Sequence, residues 1–159
     1  MEHLHMSSPA DPDRSVLRIA IDIRQRLNAI PDSAIALLAR LSVGAIFWMS
    51  GQTKVDGFRL SENAVELFKE DYKLPLVDPV IAATLAAIAE HVFPALLVMG
   101  LASRLSAAAL LGMTAVIQLL VYPGAWPTHG VWATALLFIV ARGPGVVSLD
   151  HLIAKRLSL

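Results

Sequence analysis

"LSAAALLGMTAVIQLLVYPGAWP", residues 105–127, contains no charged side chain. At ~1.5 Å of rise per residue, a helix of that length crosses the ~30 Å hydrocarbon core of a bilayer. A soluble helix needs a polar face. Before Tyr122 this stretch offers only Ser106, Thr114 and Gln118. It therefore reads as a membrane span rather than as the centre of a large soluble core. Residues 79–103 repeat the pattern, with one carboxylate, Glu90, and one histidine, His91, in an otherwise uncharged run.

Composition agrees. The chain has 159 residues, enough for one domain, with 56% apolar and 16% charged. Soluble chains carry about 25% charged residues. Lysine plus arginine number 13 and aspartate plus glutamate 13, a net charge of zero, so bulk charge points to no nucleic-acid partner. No cysteine is present, which excludes disulfides, thiolate metal sites and thiol–disulfide catalysis. The first 33 residues hold four arginines and no compact apolar core followed by small residues. No cleavable signal peptide is read there, and the first span is expected to insert uncleaved.

An all-α, four-helix membrane bundle follows. Residues 1–32 are expected to form a disordered start, Met1 to Asp13, and then an amphipathic helix; His3 and His5 in the start are read as incidental. Val16, Ile19, Ile23, Leu27 and Ile30 recur at helical spacing, with Arg14, Arg18, Asp22 and Arg26 off that stripe. Such a helix lies on the membrane surface or packs against the bundle. Pro31 breaks it, and Ser33 suits the N-cap of the next helix. The transmembrane domain is assigned to 33–145, with spans at about 33–55, 79–101, 104–122 and 128–141. The first loop holds a second, short amphipathic segment, with Ala64, Val65, Leu67 and Phe68 among Glu62, Glu66, Lys69 and Glu70, and residues 146–159 form a tail with a surface helix. Basic residues flank the spans at Arg14, Arg18, Arg24 and Arg26, at Arg104, and at Arg142, Lys155 and Arg156. That distribution predicts both termini in the cytoplasm.

Charges at membrane depth are costly, so polar groups within spans carry information. On the first span Arg40, Gly44, Phe47, Gly51 and Lys54 share a face, and the two glycines allow a neighbour to approach closely. Counted from the cytoplasmic ends, Arg40 lies roughly 10 Å deep and Glu90 roughly 16 Å. An Arg40–Glu90 pair is therefore expected inside the bundle, as a structural ion pair or as a proton-coupled or ligand site. His91 points about 100° away from Glu90. It reads as a hydrogen-bonded structural residue; haem ligation shared with His129 is disfavoured because the two lie at different depths. Pro94 is expected to kink the second span and open a cavity beside Glu90. Thr114 and Gln118 share a face suited to interhelical hydrogen bonds. Lys54 is expected to snorkel to the outer interface. There Gln52, Lys54, Tyr122, Trp126 and His129 form either an anchoring belt or a mouth for a quinone-like ring compound. No metal site is read.

"RLSVGAIFWMSGQTKVDGF" (40–58) and "AEHVFPALLVMGLASRLSAAALLGM" (89–113) resemble the DoxX family of small four-helix bacterial membrane proteins. "ARGPGVVSLDHL" (141–152) resembles the end of many such chains. The resemblance covers about residues 36 to 145 and takes in Arg40, Gly51, Lys54, Glu90 and Arg104. It implies an inner-membrane bundle and a link to redox or quinone systems, since the family takes its name from a membrane component of a thiosulfate:quinone oxidoreductase. No flavin, haem-attachment or cluster motif is present, so no covalently bound cofactor is expected, and thiosulfate oxidation by this chain alone is not. Two functions remain open. One is a redox accessory that binds quinone or a redox-enzyme subunit; the other is a small transporter, permease-like component or assembly factor, in which a homo-oligomer would line a path.

Overall fold

Proline, glycine and short polar side chains set where the helices of this protein begin and end. A computed structural model describes residues 12–157, with side chains from Val16 onward. The expected disordered start therefore lies almost wholly outside the described residues. The described chain divides between Pro31 and Asp32 into two units. The first holds α1, Pro12–Asn28. Its apolar stripe runs through Val16, Ile19, Ile23 and Leu27, and on another face Arg26 Nε donates to Asp22 one turn back, at 2.9 Å.

The second unit contains α2 (Asp32–Gln52), a hairpin of β1 (Val55–Asp56) and β2 (Arg59–Leu60), and α3 (Glu62–Leu67), extended by a π-helical turn to Tyr72. After it come α4 (Pro79–Met99), α5 (Ser103–Val116) with a π-helical extension to Val121, α6 (Trp126–Arg142) and α7 (Leu149–Arg156). Four helical stretches are long and apolar enough to cross a membrane: Asp32–Gln52, Pro79–Met99, Ser103–Val121 and Pro123–Arg142. The protein is an all-α membrane bundle.

Local chemistry explains the boundaries. The Asp78 carboxylate accepts from the Val80 and Ile81 amides at 2.9 and 3.1 Å, and Pro79 occupies the first turn, where its missing N–H costs nothing. α4 ends at Gly100, whose φ of +72° closes the helix in the left-handed region. Pro127 starts α6 rather than bounding it, so the helix begins two residues before the expected 128. The first span stops at Gln52, short of the expected 55, because residues 55–60 fold back as the hairpin. Its strands are only two residues each, too short for periodicity to reveal; Asp56-Gly57, with Gly57 at φ +65°, was the local signal. Ser33 is not an N-cap: α2 already starts at Asp32, and Ser33 Oγ instead accepts from the Val146 amide at 3.2 Å.

α2 and α5 each pack against both α4 and α6, which closes a ring of four helices. Val43, Phe47, Leu97, Ala107, Leu110, Leu136 and Ile139 fill the centre. Large side chains such as Leu38, Met49, Leu85, Leu119 and Val131 stay exposed, the pattern of a bundle whose solvent is lipid. Small residues bring α2 and α4 together: a Cβ on Gly44 would meet the Val98 side chain at 2.7 Å, and one on Gly51 the Glu90 carbonyl at 3.0 Å. A second cluster joins Phe68 to Ala82 and Ala83, with Leu60, Tyr72 and Leu74 around it, and docks α3 on the first half of α4.

Candidate functional site

The expected Arg40–Glu90 pair does not form. Glu90 accepts instead from Lys54 Nζ, at 2.7 Å, with each side chain only 3% exposed. The reason is register. Gly51 lies against Glu90, so the partner of Glu90 comes from the end of α2, while Arg40 faces the far end of α4. Lys54 therefore turns inward rather than snorkelling out, and Ser50 Oγ takes a second ammonium hydrogen at 3.1 Å. Burying two ions in this way is tolerable only because each satisfies the other.

Arg40 finds carbonyls. Its Nε donates to Leu97 O at 2.7 Å and Nη2 to Val98 O at 2.6 Å, at the C-terminal end of α4. Nη1 donates to Pro144 O at 2.9 Å and Val147 O at 2.7 Å, in the loop after α6. The helix end offers orphan carbonyls and the negative pole of its dipole, so a guanidinium is held there without a carboxylate. Gly100 completes this join: its carbonyl accepts from the Asp150 amide at 2.8 Å.

Beside the Lys54–Glu90 pair lies a cavity of about 430 Å³ between α4 and α5. Its walls are Leu85, Ala86, Ala89, Gly112, Met113, Val116 and Ile117, with Phe68, Tyr72, Leu74 and Val77 closing it from the first loop. Among the described lining residues, the polar groups are the Glu90 carboxylate and the Tyr72 phenol. Burial, and then the nearby Glu90, Tyr122 and Asp71, push the Tyr72 phenol up to about 12. It therefore stays protonated, a hydrogen-bond donor facing an apolar chamber. The expected cavity beside Glu90 exists, and it borders the half of α4 that precedes Pro94, through which the helix continues.

The residues expected to share one outer mouth divide into three places. The Gln52 amide meets His91 Nε2 at 2.8 Å, and His91 Nδ1 donates to Ala87 O at 2.6 Å. This pair borders a separate groove with the hairpin residue Phe58. His129 Nδ1 donates to Gln118 Oε1 at 2.7 Å, and Gln118 Nε2 to Pro123 O at 2.6 Å, with Trp132 packed on the imidazole. Gln118 thus bridges helices as expected, whereas Thr114 bonds Leu110 O within its own helix, at 2.8 Å. Tyr122 sits edge-on to Tyr72, ring centres 6.1 Å apart, and Trp126 is exposed. Of the expected mouth, Lys54 and Tyr122 remain near the cavity, one through Glu90 and the other through Tyr72.

Phe68 was read only as part of an amphipathic stretch, and Tyr72 was not singled out. Ala64, Phe68 and Tyr72 recur every four residues, and that spacing marked the face that docks on α4. No group of three or more histidine, cysteine or acidic side chains close enough to hold a metal occurs among the described residues.

No curated protein and no solved structure matches the chain. The DoxX family matches over residues 35–123, from the first turn of α2 to the corner before α6, and so takes in Arg40, Lys54, Tyr72, Glu90 and every wall of the cavity. The chain belongs to the DoxX family, and its buried lysine–glutamate pair and tyrosine-capped chamber lie within the matched part.

Proposed function

We propose that this DoxX-family protein is a redox-linked accessory subunit of the bacterial inner membrane that holds a quinone-type ring compound in the α4–α5 cavity. The observation that carries the reading is the chamber itself. Its volume of about 430 Å³ falls within the ~300–1,000 Å³ of small-molecule sites. Its walls are apolar, with a protonated phenol and a paired carboxylate for orientation. A quinone ring has flat apolar faces and carbonyl acceptors. Tyr72 donates to one such carbonyl, and the apolar walls of α4 and α5 take the ring. The quinone would supply the electron chemistry; the chain's part is to bind it, orient it and exclude water. Basic residues at the end where α2 begins and α6 finishes support cytoplasmic termini.

A second reading draws on the Lys54–Glu90 pair. Intramembrane ionisable groups commonly line solute or proton paths, and a homo-oligomeric transporter or permease-like component would use this one so. One preparation separates the two. The full chain is purified in mild detergent and its lipids are extracted and analysed by mass spectrometry. Quinone at about one per chain, reduced severalfold by Tyr72→Phe, is expected. Its absence, together with solute flux in proteoliposomes, overturns the accessory reading.

A further inference from the structure

At the end of the bundle where α2 starts and α6 finishes, a second cavity of about 320 Å³ has the opposite chemistry. Arg104, Arg142 and His151 line it, against one carboxylate, Asp150. That carboxylate is already engaged: Asp150 accepts from the Ala102 and Ser103 amides at 2.8 and 2.9 Å and so caps α5. Among the described residues Arg104 bonds through Nη1, which donates to the Val140 and Ala141 carbonyls at 2.7 and 3.3 Å. Its Nη2 and Nε lie over Gly143, 3.3 and 3.5 Å from where a Cβ would stand. Glycine, at φ +84°, leaves that floor open. Arg142 has one loose ion-pair partner among the described residues, Asp32 at 3.7 Å, and both side chains are largely exposed.

We propose that this cavity binds a phosphate group, carried by an anionic phospholipid headgroup or free in solution. Two guanidinium forks with uncommitted donors border one concave site, and such forks match phosphate oxygens in pairs. The site lies at the ends of spanning helices, the level at which headgroup phosphates sit, and basic pockets between such helices favour anionic lipid. Asp150 already takes the Ala102 and Ser103 amides at the start of α5, and the proposed binding rests on the side-chain cations.

The test uses the full chain in a zwitterionic detergent, with phosphatidylglycerol, phosphatidylcholine and inorganic phosphate as probes. Bound lipid is counted by native mass spectrometry and stability is read by thermal unfolding. Phosphatidylglycerol is expected to be retained at least tenfold over phosphatidylcholine. Arg142→Gln should weaken that retention by about fivefold, and Arg104→Gln by a similar factor, as one surface charge each implies. Arg142→Gln should leave unfolding in phosphatidylcholine unchanged, which keeps the test valid if Arg104→Gln impairs folding. Displacement of phosphatidylglycerol by millimolar phosphate identifies free phosphate as a ligand; no displacement identifies the lipid. Equal retention of both lipids without stabilisation by phosphate, or full retention in Arg142→Gln, overturns the proposal.

Discussion

Replacing Glu90 by Gln keeps the side chain's size and removes its charge. Lys54 then carries an ammonium that is 3% exposed and has lost its 2.7 Å counter-ion. At an effective dielectric of ~20, charges at that distance attract by about 6 kcal/mol. Most of this offsets the removal of two ions from water, so the pair itself adds little net stability. Breaking it is different: one uncompensated charge in a closed interior costs about 3–5 kcal/mol. Glu90→Gln and Lys54→Met should each lower stability by that order, or roughly 10 °C in unfolding temperature for a domain of this size. The double variant Lys54→Met/Glu90→Gln leaves no charge and should recover at least half of the loss, a coupling of ~2 kcal/mol or more. The assay is thermal unfolding in detergent, followed by tryptophan fluorescence. Additive losses, with the double variant as weak as the sum of the singles, would refute the pairing.

Three further outcomes follow from contacts already described. Arg40→Met should orphan the carbonyls of Val98, Pro144 and Val147, leave Leu97 O with only the Gly100 amide, and cost more than ~3 kcal/mol. Limited proteolysis should then release α7 early, and Arg40→Lys, with three donors, should give an intermediate rate; unchanged cleavage counts against the clamp. Gly100→Ala places a Cβ 2.5 Å from Ser148 Cβ and 2.7 Å from Arg40 Nη2, at φ +72°, and should cost ~1–3 kcal/mol and loosen the same tail; a neutral substitution argues against the close join. Tyr72, raised to about 12 from the usual 10, favours the protonated fold, so its contribution is complete below pH 10 and is lost as pH rises through 12. Phenolate absorbance should include a step near 12 that Tyr72→Phe abolishes; a step remaining in that variant would contradict the assignment.

The helices were legible because lipid and helix geometry leave clear marks: long uncharged runs, a 3.6-residue face, and turn residues at the ends. The face Arg40, Gly44, Phe47, Gly51 and Lys54 is buried throughout. What could not be read was how far α2 slides along α4. Depth counted from helix ends assumes flush ends, and here Gly51 rather than Arg40 lies level with Glu90. That offset exchanged the partners of both cations. The outer polar residues failed for another reason. Gln52, His129 and Tyr122 meet different partners, His91, Gln118 and Tyr72, which spacing within single helices cannot report. Tyr72 was hidden in a loop whose docking face spans only three turns.

Arg40 and Pro144 are separated by 104 residues, yet one guanidinium joins them. At ~5–20 residues per second of synthesis, α2 waits on the order of 5–20 s before the carbonyls of Pro144 and Val147 exist. Through that interval its arginine holds at most the two acceptors from α4. A loop made only after the four spanning stretches therefore completes the hydrogen bonding of Arg40. A chain truncated before Pro144 would carry the arginine of α2 into the membrane half-satisfied, a natural mark for quality control.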